Sequence, residues 1–385
     1  MNTVDIIGKK RDGAALTENE LRHMIMGYTE GSIPDYQMAA FLMAVYLKGM
    51  SRDETVAMTL IMKESGDVVN LSRIRGIKVD KHSTGGVGDK TTLIVAPIAA
   101  ACGIPVAKMS GRGLGFTGGT IDKLESIQGY RTSVEETDFI NQVNSSGISV
   151  IGQTGRIAPA DKKIYALRDV TGTVGSLSLI TSSVMSKKLA SGADAIVLDV
   201  KCGSGAFMKK QEEAEALAEL MVDIGKADGK NTMAVITGME QPLGRAVGNA
   251  LEVKEALDVL KGEGPEDIEE LSVKLAGCMI FMGEKASAID EGVEKAKEAL
   301  SSGRALDKFR ELLLGQGGDS SIIEKPELLP KSRHRLELKA RSDGYLYNID
   351  TMAVGLASQH SGAGRETKED EIDLSAGIYL SLIHI

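Results

Sequence analysis

From residue 76 onward, short runs of β-branched residues alternate with glycine clusters and helical segments. The runs predicted to form strands are Ile77–Asp80, Ile104–Met109, Ile148–Ile151, Ala195–Val200 and Met233–Ile236. Strands separated by helices imply βαβ units and therefore a parallel sheet. The chain is thus predicted to be an α/β protein, a class that binds ligands at the carboxyl ends of its strands.

Two other segments are predicted to be helical. The first 65 residues carry capping boxes at Thr17/Glu20 and Ser51/Glu54. Their apolar residues repeat at helical spacing and are expected in a core: Leu21, Met24, Ile25, Tyr28, Met38, Phe41, Leu42, Val45 and Tyr46. Residues 161–190 are helical again and are expected to rejoin this lobe, which makes it discontinuous in sequence.

The predicted organisation is a small discontinuous all-helical lobe, a larger α/β lobe with a mainly parallel sheet, and a C-terminal α+β module. The helical lobe takes residues 1–70 and 161–190, the α/β lobe 71–160 and 191–330, and the module 331–385. The module is predicted to open with a hairpin of Leu336–Ala340 and Tyr345–Ile349, turning at Asp343-Gly344.

Composition excludes several functional classes. With 45 basic and 54 acidic side chains the formal charge is −9, which argues against nucleic acid or an anionic membrane as the main partner. Aromatic residues are only 4% and Trp is absent, so base-stacking platforms are not expected. The three scattered cysteines indicate neither a disulfide framework nor a zinc site, and they fit a reducing cytoplasm. No signal peptide or membrane span is predicted.

Three glycine clusters follow predicted strands, at residues 81–89, 108–120 and 201–205. Glycine lets the backbone approach a ligand, hydroxyl and N–H groups donate hydrogen bonds, and lysine adds positive charge. The first and second clusters together predict a single phosphate site, with one cluster on each side of the phosphate. The alternative for a single cluster is that its glycines only serve a tight turn. Gly113, Gly115 and Gly118 match a dinucleotide fingerprint, but that motif should open the first βα unit.

A second group of polar residues lies in the helical insert. Ile180, Ser183 and Lys187 fall on one helix face, with Tyr165 and Arg168 upstream. Cations and hydroxyls on one face could bind the carbonyl oxygens of a planar heterocycle. The alternative is a solvated charged face.

At these residues the chain resembles the pyrimidine-nucleoside phosphorylases of the thymidine phosphorylase family. The matching segments are 79–89, 110–115, 117–125, 159–171 and 241–244, and the likeness extends over nearly the whole chain. The resemblance implies phosphorolysis: a pyrimidine nucleoside (uridine, thymidine or deoxyuridine) and inorganic phosphate give the free base and a pentose 1-phosphate, in nucleoside salvage and catabolism.

The resemblance also implies roles for individual residues. His82, Arg168 and Lys187 would be catalytic. Phosphate would be bound by Lys81, Ser83, Thr92, Lys108, Met109, Ser110 and Thr120. The nucleoside would contact Lys108, Tyr165, Arg168, Ser183 and Lys187. A structural potassium ion would lie among carbonyls of Gly88, Lys90, Leu243 and Ala246 and the carboxylate of Glu255, with no organic cofactor. A cytoplasmic homodimer, paired through the helical lobe, and cleft closure between the lobes are expected.

The chemistry agrees with this resemblance. Breaking an N-glycosidic bond leaves negative charge on the departing base, so donors such as Arg168 and Lys187 would stabilise the transition state. His82 would assist departure as a donor at the base O2 atom. The nucleophile is already an anion, so no carboxylate pair is needed to activate water. Lys108 resembles the broader family members that also accept uridine, where it could donate to the ribose 2′-OH.

Three rival functions remain open on sequence alone. An anthranilate-type phosphoribosyltransferase would need an acidic pair for magnesium, and none is identified. A non-catalytic nucleoside-binding protein would not need Lys81, Arg168 and Lys187 together. The third rival function is that of a nicotinamide-dependent dehydrogenase.

The end of the chain carries a separate expectation. Family members continue for several tens of residues beyond Gly377, and the peptide Leu380–Ile385 matches the read-through of a common sequencing adapter. The native C-terminus is therefore expected to be missing, and the module at 331–385 to be incomplete.

Overall fold

The computed structural model of the chain describes residues 1–113, 116–365 and 370–381. In chain order its first elements are α1 Thr3–Arg11, α2 Glu18–Glu30, α3 Asp35–Lys48, α4 Arg52–Glu64, β1 Val79–Ser83, α5 Thr91–Ala101, β2 Val106–Ser110, α6 Thr120–Glu125, α7 Glu136–Ser146 and β3 Ile148–Gly152. The following elements are α8 Pro159–Thr171, α9 Leu177–Ala190, β4 Ala195–Cys202, α10 Gln211–Ala227, β5 Asn231–Gly238, β6 Ala246–Val247, α11 Asn249–Leu260, α12 Glu266–Met282, α13 Ile289–Ser301, α14 Arg304–Gly315, α15 Thr351–Ser358 and β7 Ile378–Tyr379. Short 3-10 helices lie at Ser320–Ile323 and Pro326–Leu328, and a π-turn at Gln359–Ala363.

The chain forms two compact units, each assembled from separate stretches. Unit 1 comprises Met1–Leu71, Thr154–Asp194 and Ala216–Ala234. Unit 2 comprises Ser72–Gln153, Ala195–Glu215 and Val235–Ile385. The helical lobe is therefore discontinuous in sequence, but unit 1 also includes residues 216–234, which are predicted to lie in the α/β lobe.

Two helices of unit 1, α2 and α4, begin where the capping boxes predict. Both capping boxes are formed: the Thr17 hydroxyl accepts from the Glu20 N–H, and the Ser51 hydroxyl accepts from the Glu54 N–H. The glutamates bond back to the N–H of each cap residue, so donors that a helix start leaves unpaired are satisfied. Gly31 ends α2 with a φ of 88°, a conformation that favours glycine.

The core of unit 1 joins the amino-terminal helices to the insert. Ala160, Ile164 and Leu179, from α8 and α9, belong to the same buried cluster as the apolar residues of α1 to α4. The predicted core residues are buried except Tyr46, which is exposed on α3. The insert thus supplies two of the helices that complete this bundle.

The strands of unit 2 are mainly parallel, as predicted, but they form separate small sheets. β1 pairs in parallel with β4 in a sheet of order β1-β4-β5, and β2 pairs in parallel with β3. In the first sheet, Lys81 is opposite Val197 and Ser83 is opposite Asp199. The polar ends of β1 and β4 therefore lie side by side.

The predicted hairpin at 336–349 is wrong. No strand lies in that segment, where Leu338 is 89% exposed and Tyr347 is 100% exposed. A two-stranded hairpin with no surface to pack on is marginal in water, which explains why the local pattern does not form one. The chain after it forms α15 and β7, and β7 pairs antiparallel with β6.

Two features of the sequence lie partly outside the described residues. Leu114 and Gly115, within the second glycine cluster, are among them. So are the last four residues of the expected adapter peptide, 382–385. Among the helices that are described, none is both long and apolar enough to cross a membrane.

Candidate active site

A buried group of charges lies where β1 and β4 end in unit 2. The Lys81 ammonium lies 3.0 Å from an Asp199 carboxylate oxygen and donates to the Thr91 hydroxyl at 2.5 Å. Lys201, at the end of β4, lies 2.9 Å from the same Asp199 oxygen. Burial alone would lower the pKa of Lys81, but Asp89 and Asp199 raise it, so the ammonium stays charged.

Asp89 fixes the loop that connects β1 to α5. It accepts from the Ser83 hydroxyl and from the Thr91 hydroxyl, the latter at 2.5 Å. Desolvation would raise the pKa of Asp89, but the Lys81 and Lys201 ammonium groups hold it well below its usual range. The loop is thus a rigid, hydroxyl-rich turn beside two ammonium groups.

Lys108 is held within the same region by backbone and carboxylate groups. Its ammonium lies 3.0 Å from Asp80 and also donates to the Lys81 carbonyl. It is buried on β2. The structure therefore brings the Lys108 ammonium next to the Lys81 backbone.

The first two glycine clusters meet in unit 2. Lys123 on α6 donates to the Asp89 carbonyl at 2.9 Å and to the Gly118 carbonyl at 3.1 Å, which ties the two loops together. A side chain at Gly85 would meet Thr117 of the second cluster and Phe207 beyond the third. Glycine is needed at Gly85 also because its φ is +94°.

The other residues expected on the phosphate side lie at the ends of the same elements. Thr92 lies in the first turn of α5 and Thr120 begins α6. Met109 and Ser110 end β2. His82, which is expected to contact the base, also lies in this unit, half-buried on β1. All of these side chains belong to unit 2.

Four of the residues expected to contact the base, Tyr165, Arg168, Ser183 and Lys187, lie on α8 and α9 in unit 1. The Lys187 ammonium on α9 donates to Asp161 at 2.5 Å and to the Ser183 hydroxyl at 3.2 Å. Its side chain remains 27% exposed, so it can still contact a ligand. The Arg168 guanidinium lies 5.8 Å from the centre of the Tyr165 ring.

Arg168 has a second role that the sequence did not reveal. Its guanidinium donates to the carbonyls of Thr173, Val174 and Leu179 at 3.3, 2.7 and 3.0 Å. Burial lowers the pKa of Arg168, with a partial offset from Asp161. The side chain therefore orders the chain between α8 and α9.

The residues expected to hold potassium also come together, but a side chain lies at their centre. The Lys90 ammonium donates to the carbonyls of Leu243 and Ala246 at 2.8 and 2.9 Å and to Glu255 at 2.5 Å. Gly88 approaches the same carbonyls closely enough that a Cβ there would lie 2.7 Å from the Leu243 oxygen.

Several residues of these sites were missed at the sequence level. Asp199 lies inside an apolar strand, and a lone carboxylate in such a run is a sign of a buried pair. Asp161 and Asp89 lie within the matching segments, but no local signal shows that Asp161 pairs with Lys187 or that Asp89 acts on the charge of Lys81. Lys201 is predicted to lie in a glycine-rich loop, but it is the last residue but one of β4 and is fully buried.

Comparison with known proteins assigns this architecture to a class. Residues 4–66 match the helical bundle domain of the Glycosyl transferase family, and residues 75–306 match its a/b domain. Residues 345–382 match the Pyrimidine nucleoside phosphorylase C-terminal domain. A crystal structure of anthranilate phosphoribosyltransferase from Thermus thermophilus covers 81% of this chain and 99% of its own, with a TM-score of 0.65 and 22% identity. That likeness shows a shared fold. The chain is a glycosyltransferase-type protein.

Curated relatives narrow the class. Pyrimidine-nucleoside phosphorylases from Staphylococcus haemolyticus and Geobacillus stearothermophilus are 58% and 57% identical to 99% of this chain, which spans 88% of each relative. A third, from Staphylococcus aureus strain bovine RF122, is 56% identical over the same share. The chain belongs to the pyrimidine-nucleoside phosphorylase family, and the resemblance predicted from its motifs is confirmed.

Proposed function

We propose that this protein catalyses the phosphorolysis of uridine, thymidine and deoxyuridine, in nucleoside salvage and catabolism. The observation that carries the proposal is the identity of more than half of the residues with pyrimidine-nucleoside phosphorylases along almost the whole chain. In the reaction, a phosphate oxygen bonds to C1′ of the pentose as the C1′–N1 bond breaks. The bonding electron pair leaves with the base. The base becomes free uracil or thymine by taking up one proton, which balances the proton that hydrogen phosphate loses on becoming the pentose 1-phosphate.

The phosphate is assigned to the loop ends of unit 2. Lys81 and Lys108 supply positive charge, and Ser83, Thr92, Ser110 and Thr120 supply hydroxyl donors at the ends of β1 and β2 and the starts of α5 and α6. Backbone N–H groups at a helix start favour an anion. Because Asp80 and Asp199 neutralise the two lysines, the site holds its ammonium groups rigid before phosphate arrives.

The base is assigned to the polar face of α8 and α9 in unit 1. Lys187 would stabilise the negative charge that develops on the departing base, and Ser183 and Tyr165 would orient the ring. Three N–H groups of Arg168 hold backbone carbonyls. A guanidinium has five N–H groups, and we assign the remaining two to a base carbonyl oxygen. His82 is assigned as a hydrogen-bond donor to the base.

The test is release of free uracil or thymine with and without inorganic phosphate, in the absence of magnesium. Release that requires phosphate and yields pentose 1-phosphate supports the proposal. Release without phosphate would indicate a hydrolase. Activity only with phosphoribosyl diphosphate and magnesium would indicate the rival transferase, which shares the fold.

A homodimer and a cytoplasmic location belong to the same proposal. Helix α3 of unit 1 exposes Tyr36, Met43, Tyr46 and Leu47, an apolar face that a second copy would cover. All three cysteines are free, which is compatible with a reducing compartment.

A further inference from the structure

The ammonium of Lys90 is enclosed by acceptors from residues 243–255, a part of unit 2 that is distant from Lys90 in sequence. It donates to the Leu243 and Ala246 carbonyls at 2.8 and 2.9 Å and to a Glu255 oxygen at 2.5 Å. Lysine has three N–H donors, and each has one acceptor here. The Lys90 side chain is completely buried, so these contacts replace its water shell.

The Glu255 carboxylate also has hydrogen-bond donors beyond the Lys90 ammonium. It accepts the backbone N–H groups of Arg245, at 2.9 Å, and Ala246, at 3.1 Å. One cation and one anion cancel, and their hydrogen bonds fix the turn at 243–246. A buried ion pair is stable only when its remaining donors and acceptors are matched in this way.

The loop backbone shows that this pocket is built for a small cation. Gly88 and Gly244 have φ values of +74° and +68°, and a Cβ at Gly244 would lie 3.1 Å from the Lys90 nitrogen. These glycines allow the carbonyls on either side to converge. The Gly88 and Lys90 carbonyls accept backbone N–H groups of Lys90 and Leu93 at 2.9 Å.

The same five residues are those that family resemblance implies for a structural potassium ion, and they do not fit that ion alongside Lys90. The ammonium already occupies the point on which the Leu243, Ala246 and Glu255 oxygens converge. A potassium ion at this point would share the Glu255 carboxylate with the Lys90 ammonium and would lie in contact with that ammonium. Two positive charges in contact repel strongly in a buried setting.

We infer that the Lys90 side chain is the resident cation of this site, so that the protein needs no potassium ion. Lys90 precedes α5 and follows the loop of Ser83 and Asp89, while Glu255 lies on α11. Lys90 thus acts as a positioning residue that anchors the proposed phosphate loop to α11. The inference concerns cation binding and stability, so it stands or fails separately from the proposed reaction.

The first test uses the unaltered protein. Its thermal midpoint is measured in potassium chloride and in N-methylglucamine chloride at equal ionic strength, and binding of rubidium, a potassium analogue, is measured by equilibrium dialysis. We expect equal midpoints and no stoichiometric rubidium binding. A saturable rise of the midpoint with potassium, or stoichiometric rubidium that potassium displaces, would overturn the inference.

The second test is the variant Lys90→Thr, with Lys254→Thr as its control because Lys254 is exposed on the same helix as Glu255. Lys90→Thr removes the ammonium and leaves its oxygen acceptors. In N-methylglucamine we expect a midpoint several degrees lower and a raised KM for phosphate, both restored by potassium. The control should match the unaltered protein in both salts. A Lys90→Thr protein whose midpoint is unchanged in N-methylglucamine would contradict the inference.

Discussion

Asp161 sets the direction of Lys187, the one cation of the base-binding face that remains partly exposed. The two side chains come from different helices and meet at 2.5 Å. A carboxylate in this position limits the rotamers of the Lys187 side chain, so that less ordering is needed when a base binds. Asp161 is therefore a positioning residue in the proposed reaction.

We expect Asp161→Asn to lower kcat/KM for uridine about 10-fold, because a misdirected cation stabilises the departing base less well. Steady-state kinetics at saturating phosphate measures this. Asp169→Asn is the matched control, since Asp169 is exposed on the same helix. Equal activity of the two variants would remove Asp161 from the mechanism.

Lys108 is predicted to help select the sugar. In Lys108→Met, both uridine and 2′-deoxyuridine should be turned over more slowly, because the proposed phosphate site loses a buried positive charge. The Lys108 ammonium is also proposed to donate to the 2′-OH, which uridine has and 2′-deoxyuridine lacks. In Lys108→Met, the ratio of kcat/KM for uridine to kcat/KM for 2′-deoxyuridine should therefore fall about 3- to 10-fold, which corresponds to the loss of one hydrogen bond. An unchanged ratio would leave Lys108 with a structural role alone.

At the scale of elements, Arg168 on α8 binds two carbonyls of the intervening chain, those of Thr173 and Val174, and the Leu179 carbonyl in the first turn of α9. A residue that only touched substrate could be replaced without loss of stability. Arg168 is different, because its removal would leave buried carbonyls without donors.

Arg168→Lys should therefore lower stability by about 2 kcal/mol or more as well as reducing activity. The thermal midpoint and kcat/KM are measured together. Arg156→Lys serves as control, since the Arg156 side chain is 78% exposed. Loss of activity with an unchanged midpoint would mean that Arg168 acts on substrate only.

The pair of Lys10 and Glu54 joins α1 to α4 in the same unit. Desolvation would raise the pKa of Glu54, but the Lys10 ammonium, at 2.7 Å, and the N–H groups of Ser51 and Leu16 lower it. A depressed folded-state pKa contributes stability above the unfolded value of about 4.3, and that contribution is lost as pH falls.

Glu54→Gln should cost about 3 kcal/mol at pH 7, because Lys10 would be buried without its counter-charge. Thermal midpoints between pH 7 and pH 3 should show the gap to the unaltered protein narrowing below about pH 4.3. Glu64→Gln, an exposed change on the same helix, should show almost no gap at any pH. A constant gap for Glu54→Gln would contradict the linkage.

Local sequence signals predict much of the secondary structure but few of the contacts between side chains in the candidate sites. Thr17 and Ser51 mark helix starts that the structure confirms. The first strand was predicted to end at Asp80 but continues to Ser83, since pairing with β4 satisfies its polar backbone. Contacts such as that between Lys187 and Asp161 depend on how helices pack, which a linear motif does not encode.

At the scale of the whole molecule, a substitution on the exposed apolar face of α3 tests whether this face is the interface of the proposed dimer. Leu47→Asp would place a charge in the interface, so we expect a dimer for the unaltered protein and a monomer for the variant in sedimentation velocity. Val170→Asp is the control, because Val170 is an exposed apolar residue on α8. A dimer that survives Leu47→Asp would require another interface.

The short ladder between β6 and β7 has a consequence for biosynthesis. It pairs Ala246 with Tyr379 and Val247 with Ile378. At typical synthesis rates of about 5–20 residues per second, roughly 7 to 27 s pass between the translation of these two strands. Throughout that interval β6 has no strand to pair with. It lies in the segment whose Leu243 and Ala246 carbonyls accept hydrogen bonds from the Lys90 ammonium. Slow elongation over this stretch, or its arrest, would leave nascent chains open to pairing with one another.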